Sequence, residues 1–274
     1  VGADAISLGR EATGFSVNGS RVALQLTGDV AEGDLLVGAD GVHSVVRKAL
    51  HPREGAPRSS GIVAVRGAVH GAQRHLGDLS VVYYLGPGVE SAIVRASDTG
   101  TYWFLSLACE LVPSGMRDPA AIVARLAPGF DATFRAVTSA TDDLRYDELV
   151  DRDPLPFWGS GVVTLLGDAA HPMLPHTGQG AAQAMVDAVT LGRLLTGASD
   201  VDAALRAYER ERQAKTAALV RQGRRTARVM RTKNAVACAA RDLIIRLIPA
   251  TSLARILVRI NRRAGTDVRR TQGV

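Results

Sequence analysis

The chain has 274 residues, 46% hydrophobic and 22% charged, the balance of a folded protein of one or two domains rather than a disordered one. Its net charge of +6 is unevenly placed: from Arg206 onward 18 Lys or Arg face 4 Asp or Glu, while the preceding 205 residues hold 15 against 23. No run of about 18 apolar residues occurs, which excludes a spanning helix, and the longest uncharged stretch, 169–186, is interrupted by His, Gln, Thr and Pro.

Residues 1–37 read as strands, with Val22, Leu24 and Leu26 alternating with Ala23 and Gln25 and a turn at Gly28-Asp29. The short apolar run 34–38 ends in Gly38, as a buried parallel strand does at its carboxyl end. Ser44 is a suitable N-cap for a helix over 44–50. Strand-like runs follow at 62–65, 79–85, 92–94 and 102–107, separated by turns such as Gly86-Pro87-Gly88, a spacing that predicts an antiparallel sheet. Asp118-Pro119 opens a helix to about Leu126, and 131–140 forms a second. A further buried strand at 162–166 stops at Gly167-Asp168, a Pro- and Gly-rich loop follows, and an apolar-faced helix runs from Gly180 to about Leu195. The remainder is helical. Leu253, Ile256, Leu257 and Ile260 share one face there, Arg255, Arg259 and Arg262 the other, and Pro249 divides the tail.

Two segments carry the chemistry: Gly38-Ala39-Asp40-Gly41-Val42-His43-Ser44-Val45-Val46-Arg47, and Gly167-Asp168-Ala169-Ala170-His171-Pro172 with Pro175-His176-Thr177-Gly178-Gln179-Gly180. In each, an apolar strand stops, Asp and Gly sit at its carboxyl end, and a helix begins. Ligands of α/β sheets bind at that edge. Carboxylates there accept hydrogen bonds from sugar-like hydroxyls, glycines admit a ligand close to the backbone, and helix-start amides favour negative charge. Either segment alone reads equally as a turn and a capped helix; the two in this order, about 130 residues apart, point to one ligand.

These residues resemble the class A flavoprotein monooxygenases, the family of para-hydroxybenzoate hydroxylase and salicylate hydroxylase. Residues 38–47 are similar to that family's internal Asp-Gly motif and 167–180 to its Gly-Asp motif. The lead-in Tyr146-Asp147-Glu148-Leu149, Arg152-Asp153-Pro154-Leu155-Pro156 and Trp158, the strand at 61–67 and the helix around Arg241 resemble the family as well. The resemblance implies an α/β fold, part of a doubly wound FAD-binding sheet (GR2-type flavoprotein), with an inserted, mostly antiparallel substrate-domain sheet and C-terminal helices. The implied division is 1–58 for the first part of the FAD-binding domain, 59–156 for the substrate domain, 157–200 for the return to the FAD-binding domain and 201–274 for basic helices.

The implied function is an FAD-dependent monooxygenase that inserts one oxygen of O2 into an aromatic or unsaturated small molecule, by way of a C4a-hydroperoxyflavin and with NADH or NADPH as reductant. The implied cofactor-binding residues are Gly167 and Asp168, the latter on the ribityl hydroxyls; Pro175, Gly178, Gln179, Gly180, Ala181 and Ala182 along the isoalloxazine; and Asp40 and Arg47. The family's usual Asn is Ala182 here, and its usual Glu-Asp is Val186-Asp187. A front βαβ unit of about 30 residues with Gly-x-Gly-x-x-Gly does not occur. The chain is therefore expected to be an N-terminally truncated piece that binds FAD poorly by itself and is inactive alone. The alternatives are a related FAD oxidoreductase or halogenase, and a noncatalytic remnant of the fold.

Beyond the motifs, His171 reads as a residue holding its turn. His176, Tyr84 and Arg66 are the candidates to face a substrate, against the plainer readings of a loop residue, a core aromatic and an ordinary strand charge. Cys109 and Cys238, far apart, suggest neither a disulfide framework nor a metal site, and a reducing, cytoplasmic setting fits them. The basic tail has Tyr208 as its one aromatic residue, which argues against nucleic acid. Its first reading is solvated helix faces, its second contact with a membrane surface. The flavin reading requires that Asp40 and Asp168 meet at one crevice.

Overall fold

The computed structural model describes residues 5–247. The tail pattern from Leu253 to Ile260 and the break at Pro249 lie outside the described residues, as do residues 1–4 of the first expected strand region. Within the described residues the chain divides into two compact units: 5–58 with 150–224, and 59–149 with 225–247.

The first unit opens with an antiparallel sheet of β1 (Ala12–Asn18), β2 (Arg21–Leu26) and β3 (Asp29–Gly33). Gly19 and Gly28 adopt positive φ in the tight turns between these strands. Residues 6–11 are not strand, contrary to the sequence reading; Gly9 takes the left-handed region there and interrupts an extended run. β4 (Leu36–Gly38) pairs in parallel with β10 (Val163–Leu165), Leu36 opposite Val163 and Gly38 opposite Leu165. Both are short and apolar, as strands packed on two faces are. They are joined by α1 (Val45–Leu50), α4 (Gly180–Leu195) and α5 (Val201–Met230). The core of this unit collects Val46, Trp158, Val163, Leu165, Leu191, Leu205 and Tyr208.

The second unit is built on a five-stranded sheet in the order β6-β7-β8-β5-β9, from β5 (Arg58–His70), β6 (Val81–Gly86), β7 (Val89–Arg95), β8 (Gly100–Ala108) and β9 (Leu144–Asp151). The pairs β6–β7, β7–β8 and β8–β5 are antiparallel, as the turn spacing predicts. α2 (Pro119–Leu126) and α3 (Ala132–Ser139) start where Asp118 and Asp131 accept hydrogen bonds from the amides of Ala120 and Phe134. Their apolar residues Ile122, Val123, Phe134 and Val137 join Val65, Ile93, Trp103 and Leu105 in a second core. α6 (Ala235–Leu247) completes the unit.

β9 has no counterpart in the strand reading, for a physical reason. It is an edge strand, and edges carry charge that blunts further pairing; Asp147 and Glu148 pair with Arg66 and Arg117, so the alternation of apolar residues is obscured.

Candidate functional site

The parallel register of β4 and β10 brings the two motifs to one sheet edge. The Leu166 amide donates to the Gly38 carbonyl at 2.9 Å, so the chain leaves both strands side by side toward Asp40 and Asp168. Gly38 is required here by space: a Cβ would lie 2.7 Å from Val46 Cβ and 2.8 Å from Leu165 Cδ2. Beyond it Gly41 takes φ 79°, Asp40 Oδ2 accepts the Val45 amide at 2.7 Å, and Ser44 Oγ accepts the Arg47 amide at 2.9 Å, fixing the start of α1.

Arg47 is buried, and every N–H of its guanidinium has an acceptor inside the protein. Nε and Nη2 grip Glu54 at 2.7 and 2.6 Å, Nη2 also reaches the Asp153 carbonyl at 3.1 Å, and Nη1 donates to the carbonyls of Ala169 and Ala170 at 2.9 and 3.0 Å. The side chain thus ties the Asp-Gly segment to the Gly-Asp turn. Burial alone would raise the Glu54 carboxyl, but the hydrogen bond and charge of Arg47, with Arg152, hold it below its ordinary range.

The turn itself is a single 3-10 turn, Gly167–Ala169, with Gly167 at φ 60°. Asp168 is exposed at its tip, and its carboxyl is raised by partial burial against the opposing pull of His171. The underside of the turn is held by Asp187 of α4, which is fully buried. It accepts the Gly167 amide at 3.1 Å, His171 Nε2 at 2.5 Å and Arg212 Nε at 2.6 Å, while Arg212 Nη2 donates to Gln183 Oε1 at 2.5 Å. His171 therefore holds its turn, as the plainer reading had it. Asp187, Arg212 and Gln183 were not among the expected site residues. Their signal in the sequence is Asp187 itself, a charge on the apolar face of a helix.

Pro175–Thr177 form another 3-10 turn, closed by Gly178 at φ 63°, and Gln179 stands at the N-cap of α4. No side chain caps this helix, so the first-turn amides of Gly180, Ala181 and Ala182 are left for another acceptor. Thr177 Oγ1 and Gln179 Nε2 are buried without a hydrogen-bond partner among the described residues. His176 sits in the same loop, its imidazole pushed down by burial. The expected set from Gly167 to Ala182, with Asp40 and Arg47, thus belongs to one unit and to two neighbouring strand ends.

Tyr84 and Arg66 lie in the second unit, each with an internal partner. The Tyr84 hydroxyl donates to Asp131 Oδ1 at 2.9 Å and its ring meets Phe130 and Phe134 edge-on, which makes it part of the packing around α3. Arg66 donates to Asp147 Oδ2 at 2.9 and 2.5 Å, so its charge is already matched by a carboxylate.

The family described as "FAD binding domain" matches residues 6–223. The chain is 33% identical over 254 residues to the aurachin C monooxygenase/isomerase of Stigmatella aurantiaca, covering 90% of this chain and 65% of that protein. It is 35% identical over 244 residues to the 3-amino-4-hydroxybenzoate 2-monooxygenase of Streptomyces cremeus, covering 88% of this chain and 61% of that protein. Among solved structures, Klebsiella pneumoniae HpxO complexed with FAD and uric acid superposes with a TM-score of 0.85 at 28% identity, over 94% of this chain and 67% of that one. The chain spans less than two thirds of these two curated relatives. A match of this extent leaves one conclusion: the chain belongs to the FAD-binding family of the class A aromatic monooxygenases.

Proposed function

We propose that the chain serves an FAD-dependent monooxygenase that uses NADH or NADPH and O2 to hydroxylate a small aromatic or unsaturated molecule. The observation that carries this reading is the pairing of β4 with β10, which sets Asp40, Asp168 and the uncapped start of α4 at one edge of one unit. The polar groups there suit FAD. Thr177 Oγ1 and Gln179 Nε2 are buried and unpartnered among the described residues, and the α4 amides offer donors to a ring edge that carries negative charge on reduction. Bound FAD would supply the redox chemistry and the activation of O2.

The chain's own residues would bind and orient. Asp168 would accept hydrogen bonds from the ribityl hydroxyls, and Gly178 to Ala182 would let the backbone lie against the flat ring system. Arg47, with its donors already engaged, would act through the Ala169 and Ala170 carbonyls rather than on the ligand. The names of the relatives, with a hydroxylated aminobenzoate among them, support a small aromatic substrate. The free cysteines accord with a cytoplasmic setting.

The test is fluorescence titration of FAD into the 274-residue chain and its Asp168→Ala variant. Loss of a charged hydrogen-bond acceptor should weaken binding roughly ten- to hundredfold. Measurable FAD binding of equal affinity in the two proteins would remove Asp168 from the site and the reading with it.

A further inference from the structure

α6 is turned inside out. Val236, Leu243, Ile244 and Leu247 are 78%, 58%, 60% and 71% exposed, and with Ala240 they fall at the i, i+4, i+7, i+8 and i+11 positions of a single helical stripe. The opposite side, buried in the second unit, carries Cys238, whose thiol donates to the Thr232 carbonyl, and Arg241, whose guanidinium reaches the Gly86 carbonyl at 3.4 Å and Asp242 at 2.9 Å. A helix that keeps an arginine inward and a leucine-isoleucine stripe outward has a use for that stripe.

The charge beside it in the sequence is one-sided. Within the second unit, residues 225–247 hold six Lys or Arg and a single acidic residue, Asp242. Several are engaged internally, Arg231 on the Ser60 carbonyl and Lys233 beside Glu110 among them. Arg225 and Arg228, one turn apart near the end of α5, are exposed and form no ion pair among the described residues. In sequence, residues 248–274 add six arginines against Asp267. The solvated-face reading of the tail accounts for the arginines but leaves the apolar stripe without a reason.

We propose that α6, with the basic end of α5, is a peripheral anchor that lies on an anionic lipid surface. The stripe Val236–Leu243–Ile244–Leu247 enters the boundary between headgroups and acyl chains, and Arg225 and Arg228 meet the lipid phosphates and carboxylates. Such a contact joins apolar area to electrostatic attraction, and neither alone is strong. It is independent of the flavin site.

The experiment is co-sedimentation of the 274-residue chain with phosphatidylcholine vesicles made with and without phosphatidylserine. The chain should pellet with the serine-containing vesicles, weakly with phosphatidylcholine alone, and less as salt rises. Leu243→Glu with Leu247→Glu should lower partitioning about tenfold or more, and Arg225→Glu with Arg228→Glu about tenfold. All four positions are exposed, so circular dichroism and melting should be unchanged. Absence of pelleting, or pelleting unaltered by the leucine substitutions, would overturn the proposal. So would a dimer by light scattering that the leucine substitutions convert to monomer while vesicles bind neither form, because the stripe would then be covered by a second copy.

Discussion

Asp187 is the residue on which the Gly-Asp turn rests. A buried carboxylate that faces Arg212 cannot be replaced cheaply, since the guanidinium would be left without its counter-charge in a dry interior. Asp187→Asn should therefore destabilise the chain by about 3–5 kcal/mol, read as a shift of the urea midpoint. Adding Arg212→Met should restore only part of that loss, because the Gly167 amide and His171 would still lack a full acceptor. Glu90 carries a pH signature. It is buried on β7 beside the Tyr83 hydroxyl, and desolvation raises its carboxyl to about 7 against the opposing field of Arg241. The folded chain thus prefers Glu90 protonated, and stability should fall as pH rises from about 4.5 to about 7. Glu90→Gln should flatten that slope and add up to about 3 kcal/mol above pH 7, measured by unfolding at several pH values.

At the scale of elements, the close approach of β4, β10 and α1 depends on an absent side chain. Gly38→Ala would force a methyl into Val46 and Leu165, and overpacking of this kind costs about 1–3 kcal/mol. Because the shift would also part the two strand ends, FAD affinity should fall together with the melting temperature. Gly41→Ala makes a useful contrast: nothing stands where its Cβ would go, yet φ 79° alone costs roughly 1–2 kcal/mol. An unchanged melting temperature for Gly38→Ala would mean that the strands tolerate wider spacing.

In the whole molecule, the two hydrophobic cores share no residue, and each holds one of the two tryptophans, Trp158 in the first unit and Trp103 in the second. Phe134→Ala, a truncation in the second core, should cost about 3–5 kcal/mol. Its effect should be larger on the Trp103 signal, followed in a Trp158→Phe background, than on the Trp158 signal in a Trp103→Phe background. Equal displacement of both transitions would mean that the units unfold as one.

Local chemistry was legible in the sequence alone. Ser44 and Asp118 cap the helices they were expected to cap, the four strand runs of the antiparallel sheet are present, and the Gly-Asp and Asp-Gly motifs identified the family, because caps, turns and glycines act within a few residues of themselves. The tertiary structure decided what depends on partners distant in the chain. It decided that Gly38 and Leu165 are neighbours, and that Arg47 braces Ala169 and Ala170 from more than a hundred residues away. It decided too that Asp187 and Arg212 neutralise each other, and that α6 keeps Arg241 in and its leucines out. A pattern of residues states which side of a helix is apolar; which side is buried is settled by what packs against it.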